Sequence, residues 1–231
     1  MTVIAVGSVH GSPGTTTLAL DLARVCASSA ERDVLLVEAD PDGGCLAARL
    51  DLAVKPGLTE LAGAARVAIS VDDLWSYAQP TESGVAVIVA HPASEQVHAA
   101  LRAAVNQIGA ALREAAGYVV VDIGRMRPGS PALALAALAD RTLIVSANTV
   151  EAVVSLHHRG QLLRGTGEPL VVLSAAKPYS ADDVAAASGL DVWGPIGQDT
   201  RRAGRRRRAR DLARLLLDGI GTHDHPVAVH P

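Results

Sequence analysis

A run of small residues near the N-terminus is the part of the chain best suited to hold a phosphate group. After an opening apolar segment it consists of Gly11, Ser12, Pro13, Gly14, Thr15, Thr16 and Thr17. Small residues let backbone N–H groups approach an anion closely, and the first turn of a helix adds unpaired donors and the positive end of its dipole. The same residues also fit a tight turn with a threonine helix cap, so the pattern alone leaves both interpretations open.

Acidic residues close two further apolar runs. The segment VLLVEADPDGG (34–44) contains Glu38, Asp40 and Asp42, and YVVVDIG (118–124) contains Asp122. Carboxylates at such positions are oxygen ligands of the kind that a hard cation such as Mg²⁺ accepts.

The elements that position these residues follow from the alternation of short β-branched runs with longer amphipathic stretches rich in Ala and Leu. Predicted strands are Val3–Val6, Val34–Glu38, Val85–Val89, Tyr118–Val121, Thr142–Val145, Leu170–Leu173 and Val192–Ile196. Predicted helices are Thr16–Ala27, Ser94–Ala115, Ser130–Ala139, Val150–Leu163, Ala181–Ala187 and Thr200–Leu217. Continuously apolar strands are buried on both faces, so we predict an α/β fold with a mostly parallel sheet covered by helices on both faces.

The pattern is less regular over residues 41–84, which we predict to be an insertion or a loop-rich edge of the sheet. Residues 1–218 are predicted to form a single domain. Residues 219–231 are rich in His, Pro and Gly and are predicted to be a flexible tail.

The N-terminal segment resembles the deviant phosphate loop of the ParA/MinD family of P-loop ATPases, whose pattern is K-G-G-x-G-K-[ST]. Gly11, Gly14 and Thr16 match that pattern, whereas His10 stands at the signature lysine and Thr15 at the phosphate-binding lysine. The resemblance implies a P-loop NTPase-like fold and a nucleotide site. It also implies ATP or ADP with Mg²⁺ as the cofactor, if one is bound at all.

Other segments resemble the family in the same order. Residues 34–44 resemble the strand that ends in D-x-D-P-Q-G, which places Asp40 at the family's switch carboxylate and makes it the candidate catalytic residue, in vestigial form. Residues 118–124 resemble the Walker B strand, with Asp122 at its carboxylate. The resemblance implies that Thr16 and Asp122 hold Mg²⁺ if a nucleotide is bound; the alternative is that Thr16 only caps the helix. Asn148 corresponds to a turn that lies near the base in family members, and residues 194–201 resemble the closing I-P-x-D segment.

The two missing lysines predict weak catalysis, because phosphoryl transfer depends on positioning and on neutralising phosphate charge. An ammonium about 4 Å from a phosphate oxygen is worth roughly 4 kcal/mol at an effective dielectric constant of about 20, and a threonine hydroxyl forfeits most of that. Arg125 and Arg127 follow Asp122 at the end of its predicted strand. Either one of them reaches a phosphate or both are solvated on a loop.

Basic charge is concentrated near the C-terminus, where eight arginines fall between Arg201 and Arg214 in a chain of net charge −3. The candidate residues for binding a polyanion or an acidic partner are Arg201, Arg202, Arg205, Arg206, Arg207 and Arg208. Leu212, Leu215 and Leu216 share one helical face, which is predicted to be core. Non-specific DNA or an acidic protein is favoured over a membrane, because that apolar face is short.

The composition favours a cytoplasmic location, since the two cysteines match no metal spacing and no signal peptide or membrane span is evident. The resemblance implies a homodimer. Three functions remain open at this stage. They are a degenerate ParA/MinD-like scaffold that positions pilus, secretion or DNA-segregation machinery, a slow DNA-partitioning ATPase, and a DNA-binding regulator that needs no nucleotide.

Overall fold

An eight-stranded sheet forms the centre of the protein. In a computed structural model, the residues described are 2–11, 14–29, 33–65, 68–195, 207, 209–214 and 216. The strands are β1 (Thr2–Ser8), β2 (Val34–Glu38), β3 (Gln79–Pro80), β4 (Val85–Ile88), β5 (Tyr118–Arg125), β6 (Arg141–Ser146), β7 (Pro169–Leu173) and β8 (Asp191–Trp193). Their order is β3-β4-β2-β5-β1-β6-β7-β8, and every neighbouring pair is parallel except β3–β4. The predicted mostly parallel sheet is confirmed.

Helices cover both faces of this sheet. They are α1 (Thr15–Ser29), α2 (Leu46–Leu50), α3 (Leu58–Ala64), α4 (Val71–Tyr77), α5 (Ser94–Glu114), α6 (Leu133–Leu138), α7 (Val150–His158), α8 (Gly160–Arg164) and α9 (Ala181–Ser188). The described residues of 207–216 are helical as well, and we call them the C-terminal helical segment. None of the helices in the described ranges has the length and apolar character needed to cross a bilayer.

Apart from shifts in the ends of elements, the sequence predictions differ from the structure in two places. Residues 41–84, predicted to be an insertion or a loop-rich edge of the sheet, contain α2, α3, α4 and the antiparallel edge strand β3. Each of these helices has only five to seven residues, which is too short for a 3.6-residue period to stand out in sequence. The single helix predicted for Val150–Leu163 is two helices, which are separated at Arg159.

The apolar side chains form one core on each face of the sheet. Along β1, Val3 and Ala5 belong to the core that also includes α5 and α6, whereas Ile4 and Val6 pack with α1. Leu212 and Leu216 of the C-terminal helical segment are buried in the α1 core, which confirms the predicted core role for these two leucines. Leu215 lies outside the residues whose side chains are described.

Candidate functional site

Three neighbouring strands deliver the predicted site residues to one edge of the sheet. Strand β5 lies between β1 and β2, and Asp122 is paired in register with Val6 on one side and with Glu38 on the other. Because all three strands are parallel, their carboxyl ends lie together. This is the edge at which open α/β sheets bind ligands.

The small-residue turn leads directly into α1. Gly11 and Gly14 have φ angles of +66° and +101°, a region that favours glycine, and a Cβ on either would meet no atom within 4 Å. Their backbone conformation, and not crowding, therefore accounts for the two glycines. The Leu18 N–H donates to the Gly14 carbonyl at 2.9 Å, so the first turn of a fifteen-residue helix opens at this loop. Ser12 and Pro13, which we predicted to contact nucleotide, lie outside the described residues.

Thr15 occupies the place where the resemblance expects the phosphate-binding lysine. The residue is 8% exposed, and its hydroxyl oxygen is buried without a hydrogen-bond partner in the described part of the chain. Buried hydroxyls are nearly always paired in native proteins, so an unpaired one at this turn is notable. It is consistent with a partner that arrives from outside the chain.

Asp122 is fully buried beside the first turn of α1. The Gly124 N–H donates to its Oδ1 at 3.1 Å, whereas its Oδ2 has no partner within the described ranges. Burial raises the pKa of Asp122 to about 7. The Thr16 side chain and the Gly124 N–H oppose that rise, and the neighbouring Asp40 and Glu38 carboxylates add to it.

These residues fit a nucleotide with Mg²⁺. The unpaired Oδ2 of Asp122 and the adjacent Thr16 hydroxyl supply oxygen ligands for a hard cation, and the N-terminus of α1 suits a phosphate. When bound, Mg²⁺ would neutralise phosphate charge. Thr16 and Asp122 would hold it. The phosphates would lack two positive charges from the protein, because Thr15 and His10 stand where the resemblance expects lysines.

Glu38 has a structural role that the sequence did not reveal. Its Oε1 accepts from the Cys45 and Leu46 N–H groups at 2.7 and 2.9 Å, and its Oε2 accepts from the Ala90 N–H at 3.0 Å. Burial raises its pKa, and these three donors oppose that rise. Glu38 thus ties the start of α2 and the end of β4 to the site edge, and the only hint in sequence was an acidic residue ending an apolar run.

Asp40 lies against the end of β5. Gly124 has a φ of +60°, and a Cβ there would collide with the Asp40 carboxyl carbon and both carboxyl oxygens. Burial raises the pKa of Asp40, and the Asp42 N–H, Arg125 and Arg127 pull it back down. The predicted switch carboxylate therefore lies close to Asp122 and two arginines. Its catalytic role stays a prediction.

Arg125 and Arg127 are not simply solvated on a loop. Arg125 is the last residue of β5, and its Nη2 donates to the Gly11 carbonyl at 3.2 Å. Arg127 pairs with Asp42 at 3.1 Å, and both side chains of that pair are about half exposed. Arg125 therefore contacts the loop backbone, whereas contact of either arginine with a phosphate stays a prediction.

Three other residues predicted to contact nucleotide are held in different ways. His10 is exposed, and its Nδ1 lies 3.5 Å from the Ser155 hydroxyl of α7. The Thr17 hydroxyl accepts from Arg49 of α2 at 3.2 Å. Asn148 uses both Nδ2 hydrogens on the Ala175 and Tyr179 carbonyls, and its Oδ1 accepts from the Tyr179 N–H. Asn148 therefore fixes the turn after β7, and its contact with a base stays a prediction.

Arg159 is a positioning residue that sequence reasoning missed. Its Nη1 donates to the Val9 carbonyl at 3.0 Å and to the Met126 carbonyl at 2.7 Å. It thereby joins the break between α7 and α8 to the residues just after β1 and β5. The sequence signal was present in Gly160, a residue that weakens helix interiors, but nothing indicated which carbonyls the preceding arginine would bind.

A separate groove of about 990 Å³ lies between α1, α2 and the β3–β4 turn. Its charged lining consists of Asp21, Asp51, Glu82, Arg24, Arg49 and Arg210. Three carboxylates face three guanidinium groups, so this groove has no net preference for a polyanion. Among the described residues, none of those predicted to bind nucleotide lines this groove.

The arginine-rich region is described only in part. Arg207, Arg210 and Arg214 are exposed on the C-terminal helical segment, opposite its buried Leu212 and Leu216. The other candidate residues for polyanion binding lie outside the described residues; they are Arg201, Arg202, Arg205, Arg206 and Arg208. The described arginines leave the outward face of this segment positively charged.

The sheet order and the loop-to-helix turn at the edge shared by β1, β2 and β5 define a P-loop NTPase-like domain. Comparison with solved structures identifies the fold more closely. The ParA family ATPase of Chlorobium tepidum aligns at a TM-score of 0.78 with 15% identity, over 92% of this chain and 98% of that one. The cell division ATPase MinD of Pyrococcus furiosus aligns at 0.75 with 17% identity, over 94% and 98%.

A third similar structure carries ligands. Cobyrinic acid a,c-diamide synthase of Mycobacterium smegmatis, solved with a bound ATP analogue and magnesium, aligns at a TM-score of 0.71 with 19% identity over 97% of each chain. No protein-family model matches the sequence, and no curated protein does either. The chain therefore has the fold of ParA/MinD-type P-loop ATPases, at identities too low to transfer a function.

Proposed function

We propose that this protein is a cytoplasmic, ParA/MinD-like positioning or assembly protein that binds ATP or ADP with Mg²⁺ but hydrolyses ATP little or not at all. One observation carries the proposal. The Mg²⁺ side of the site is preserved in Thr16 and an unpaired Asp122 Oδ2, whereas the phosphate side has a buried Thr15 hydroxyl in place of an ammonium. Such a site favours binding over turnover, since transition-state charge is neutralised less well.

The expected interaction energies also favour nucleotide binding over hydrolysis. Each 1.4 kcal/mol of lost transition-state stabilisation slows a reaction about tenfold, and one lysine–phosphate contact is worth roughly 4 kcal/mol before desolvation is subtracted. Losing two such contacts suffices to bring hydrolysis to background. Binding would suffer less, because the N-terminus of α1 would still attract the phosphates and Thr16 and Asp122 would still hold Mg²⁺ beside them.

We expect ATP binding that requires Mg²⁺, together with ATP turnover no faster than that of a protein-free control. Calorimetric titration with Mg²⁺–ATP measures the first, and release of radiolabelled phosphate measures the second. Asp40→Asn is the matched variant for turnover, because it removes the candidate catalytic carboxylate. Turnover at ordinary ATPase rates that Asp40→Asn abolishes would rule out the non-hydrolysing function and favour the partitioning ATPase.

A slow ATPase is the second candidate, and one contact favours it. The Arg125 guanidinium already touches the loop and lowers the pKa of Asp40, so a cation is present between the two. If that charge acts in the transition state, slow hydrolysis survives the loss of both lysines. The same radiolabel assay, extended to many hours at high protein concentration, separates slow turnover from none.

The proposed oligomer is a homodimer that forms without nucleotide. Val150 and Val154, one turn apart on α7, are 55% and 48% exposed, and His10 contacts Ser155 of the same helix. An apolar pair beside the phosphate loop suits contact with a second copy at this edge. The signature lysine is replaced by His10, so the proposed contact does not depend on a nucleotide phosphate.

The third candidate, binding of DNA or an acidic protein without nucleotide, concerns the arginine-rich region. Changing Arg207, Arg210 and Arg214 to Ala should weaken binding to random duplex DNA and leave the melting temperature nearly unchanged, because these side chains are exposed while Leu212 and Leu216 are buried. Removing three phosphate contacts should lower the slope of log affinity against log salt by about 3.

Fluorescence anisotropy across a salt series, with and without ATP, measures this effect. A control that also removes three charges changes Arg102 and Arg113 of α5 and Arg164 of α8 to Ala, since these exposed side chains lie elsewhere on the surface. If the two variants bind DNA equally well, the arginines of the C-terminal helical segment do not contact DNA. Vesicles of anionic lipid provide the membrane comparison, where we expect no binding.

A further inference from the structure

We propose that Arg125 is the cation that contacts the phosphate groups in this site, in place of the lysine that the loop lacks. The inference rests on the proposed function, because it requires a phosphate-bearing ligand at the N-terminus of α1. Arg125 would supply the positive charge that the site lacks because Thr15 and His10 replace the two lysines.

The position of Arg125 follows from an irregularity in the sheet. The pairing of β1 with β5 runs in register up to Val6 and Asp122 and then skips one residue, so that Gly7 pairs with Gly124 and Ser8 with Arg125. Gly124 has a left-handed φ of +60° at the same place. A bulge bends a strand and changes the direction of the side chain that follows it. Here that side chain reaches across to the phosphate loop.

The contacts of Arg125 leave donors free for an anion. Nη2 donates to the Gly11 carbonyl at 3.2 Å, and Nε is buried without a hydrogen-bond partner among the residues described. A guanidinium has five N–H donors and keeps its charge at all accessible pH values. A buried, charged N–H without an acceptor is costly, and a phosphate oxygen would supply that acceptor.

Two further unpaired atoms belong to residues at the same edge of the sheet. They are the Thr15 hydroxyl oxygen, on a residue 8% exposed, and Oδ2 of the fully buried Asp122. Arg125 also acts on Asp40, whose pKa it lowers. Arg125 is therefore placed between the phosphate loop and the switch carboxylate. Arg127, by contrast, is engaged in a half-exposed pair with Asp42 and is the natural control.

The test compares Arg125→Gln with Arg127→Gln in calorimetric titrations of Mg²⁺–ATP and of Mg²⁺–pyrophosphate. We expect Arg125→Gln to weaken binding of both ligands by about tenfold to about 150-fold, the range for a lost hydrogen bond to a charged group. Arg127→Gln should change either affinity by less than about threefold. Pyrophosphate separates a phosphate contact from a contact with the nucleoside.

A second variant distinguishes the loss of a phosphate contact from a structural effect of the substitution. Arg125→Lys restores charge without the planar fork, and we expect it to recover most of the affinity lost in Arg125→Gln. Equal weakening by Arg125→Lys and Arg125→Gln, equal affinities for the two Gln variants, or a loss confined to ATP would each overturn the assignment. If the wild-type protein binds neither ligand, the proposed nucleotide site itself fails, and this inference fails with it.

Discussion

Replacing Thr15 with lysine is expected to raise the affinity for Mg²⁺–ATP about a hundredfold. An ammonium near a phosphate oxygen is worth roughly 4 kcal/mol at an effective dielectric constant of about 20, and desolvation of the new side chain takes back part of that. Gly11 and Gly14 have positive φ angles and α1 begins at Thr15, so a lysine there would lie at the N-terminus of the helix. Isothermal titration of the wild type and Thr15→Lys with Mg²⁺–ATP measures the change.

Thr15→Met is the matched control, because it adds a long side chain without a charge. Thr17→Lys is a second control, since the Thr17 hydroxyl is bonded to Arg49 of α2. Only Thr15→Lys should gain affinity. A folded Thr15→Lys protein with unchanged affinity would show that the loop does not hold a phosphate within reach of a lysine at position 15, which would contradict this prediction.

Much of this fold could be predicted from the sequence, because its strands are short, continuously apolar and separated by long amphipathic helices. The run Val34–Glu38 is a strand with the predicted bounds, and β5 begins at the predicted Tyr118. The prediction ended β5 at Val121, but the strand continues through Asp122 to Arg125. Charged residues and glycine do not fit the apolar pattern that predicts a strand. Pairing with β1 nevertheless keeps them in the sheet.

The site was predictable as a set of residues, but its contacts were not. Parallel strands ensure that Thr16, Asp40 and Asp122 meet at one edge, which a strand–helix pattern already implies. The contact of Arg125 with Gly11, across 114 positions, depends on a bulge and a left-handed glycine. The three backbone bonds of Glu38 and the clamp formed by Arg159 are likewise long-range packing events, and no local pattern encodes them.

Burial of Asp122 is expected to make the stability of the folded protein depend on pH. Burial raises its folded-state pKa to about 7, above the value of about 3.8 for an ordinary aspartate, so the folded state binds the proton more tightly than the unfolded chain. The free energy of unfolding should therefore fall as the pH rises from about 4 to about 7, by at most roughly 4 kcal/mol. Burial also raises the pKa values of Glu38 and Asp40, which act in the same direction.

Asp122→Asn removes this ionisation while keeping the size of the side chain. Without nucleotide or Mg²⁺, the variant should be more stable than the wild type at pH 8, near to it at pH 4, and less dependent on pH between these values. Urea unfolding followed by circular dichroism at several pH values measures this difference. Parallel curves for the two proteins would contradict the expected ionisation of Asp122 in the folded state.

Mg²⁺–ATP should stabilise the wild type but not the Asp122→Asn variant. At pH 8 the ionised Asp122 carboxylate is costly to bury alone, and a bound cation would offset that cost. Mg²⁺–ATP should therefore raise the melting temperature of the wild type and leave that of Asp122→Asn nearly unchanged, whereas Asp42→Asn, at a half-exposed carboxylate, should respond like the wild type. A variant that is more stable alone yet insensitive to Mg²⁺–ATP would mean that Asp122 is kept at a cost to stability because it holds the metal.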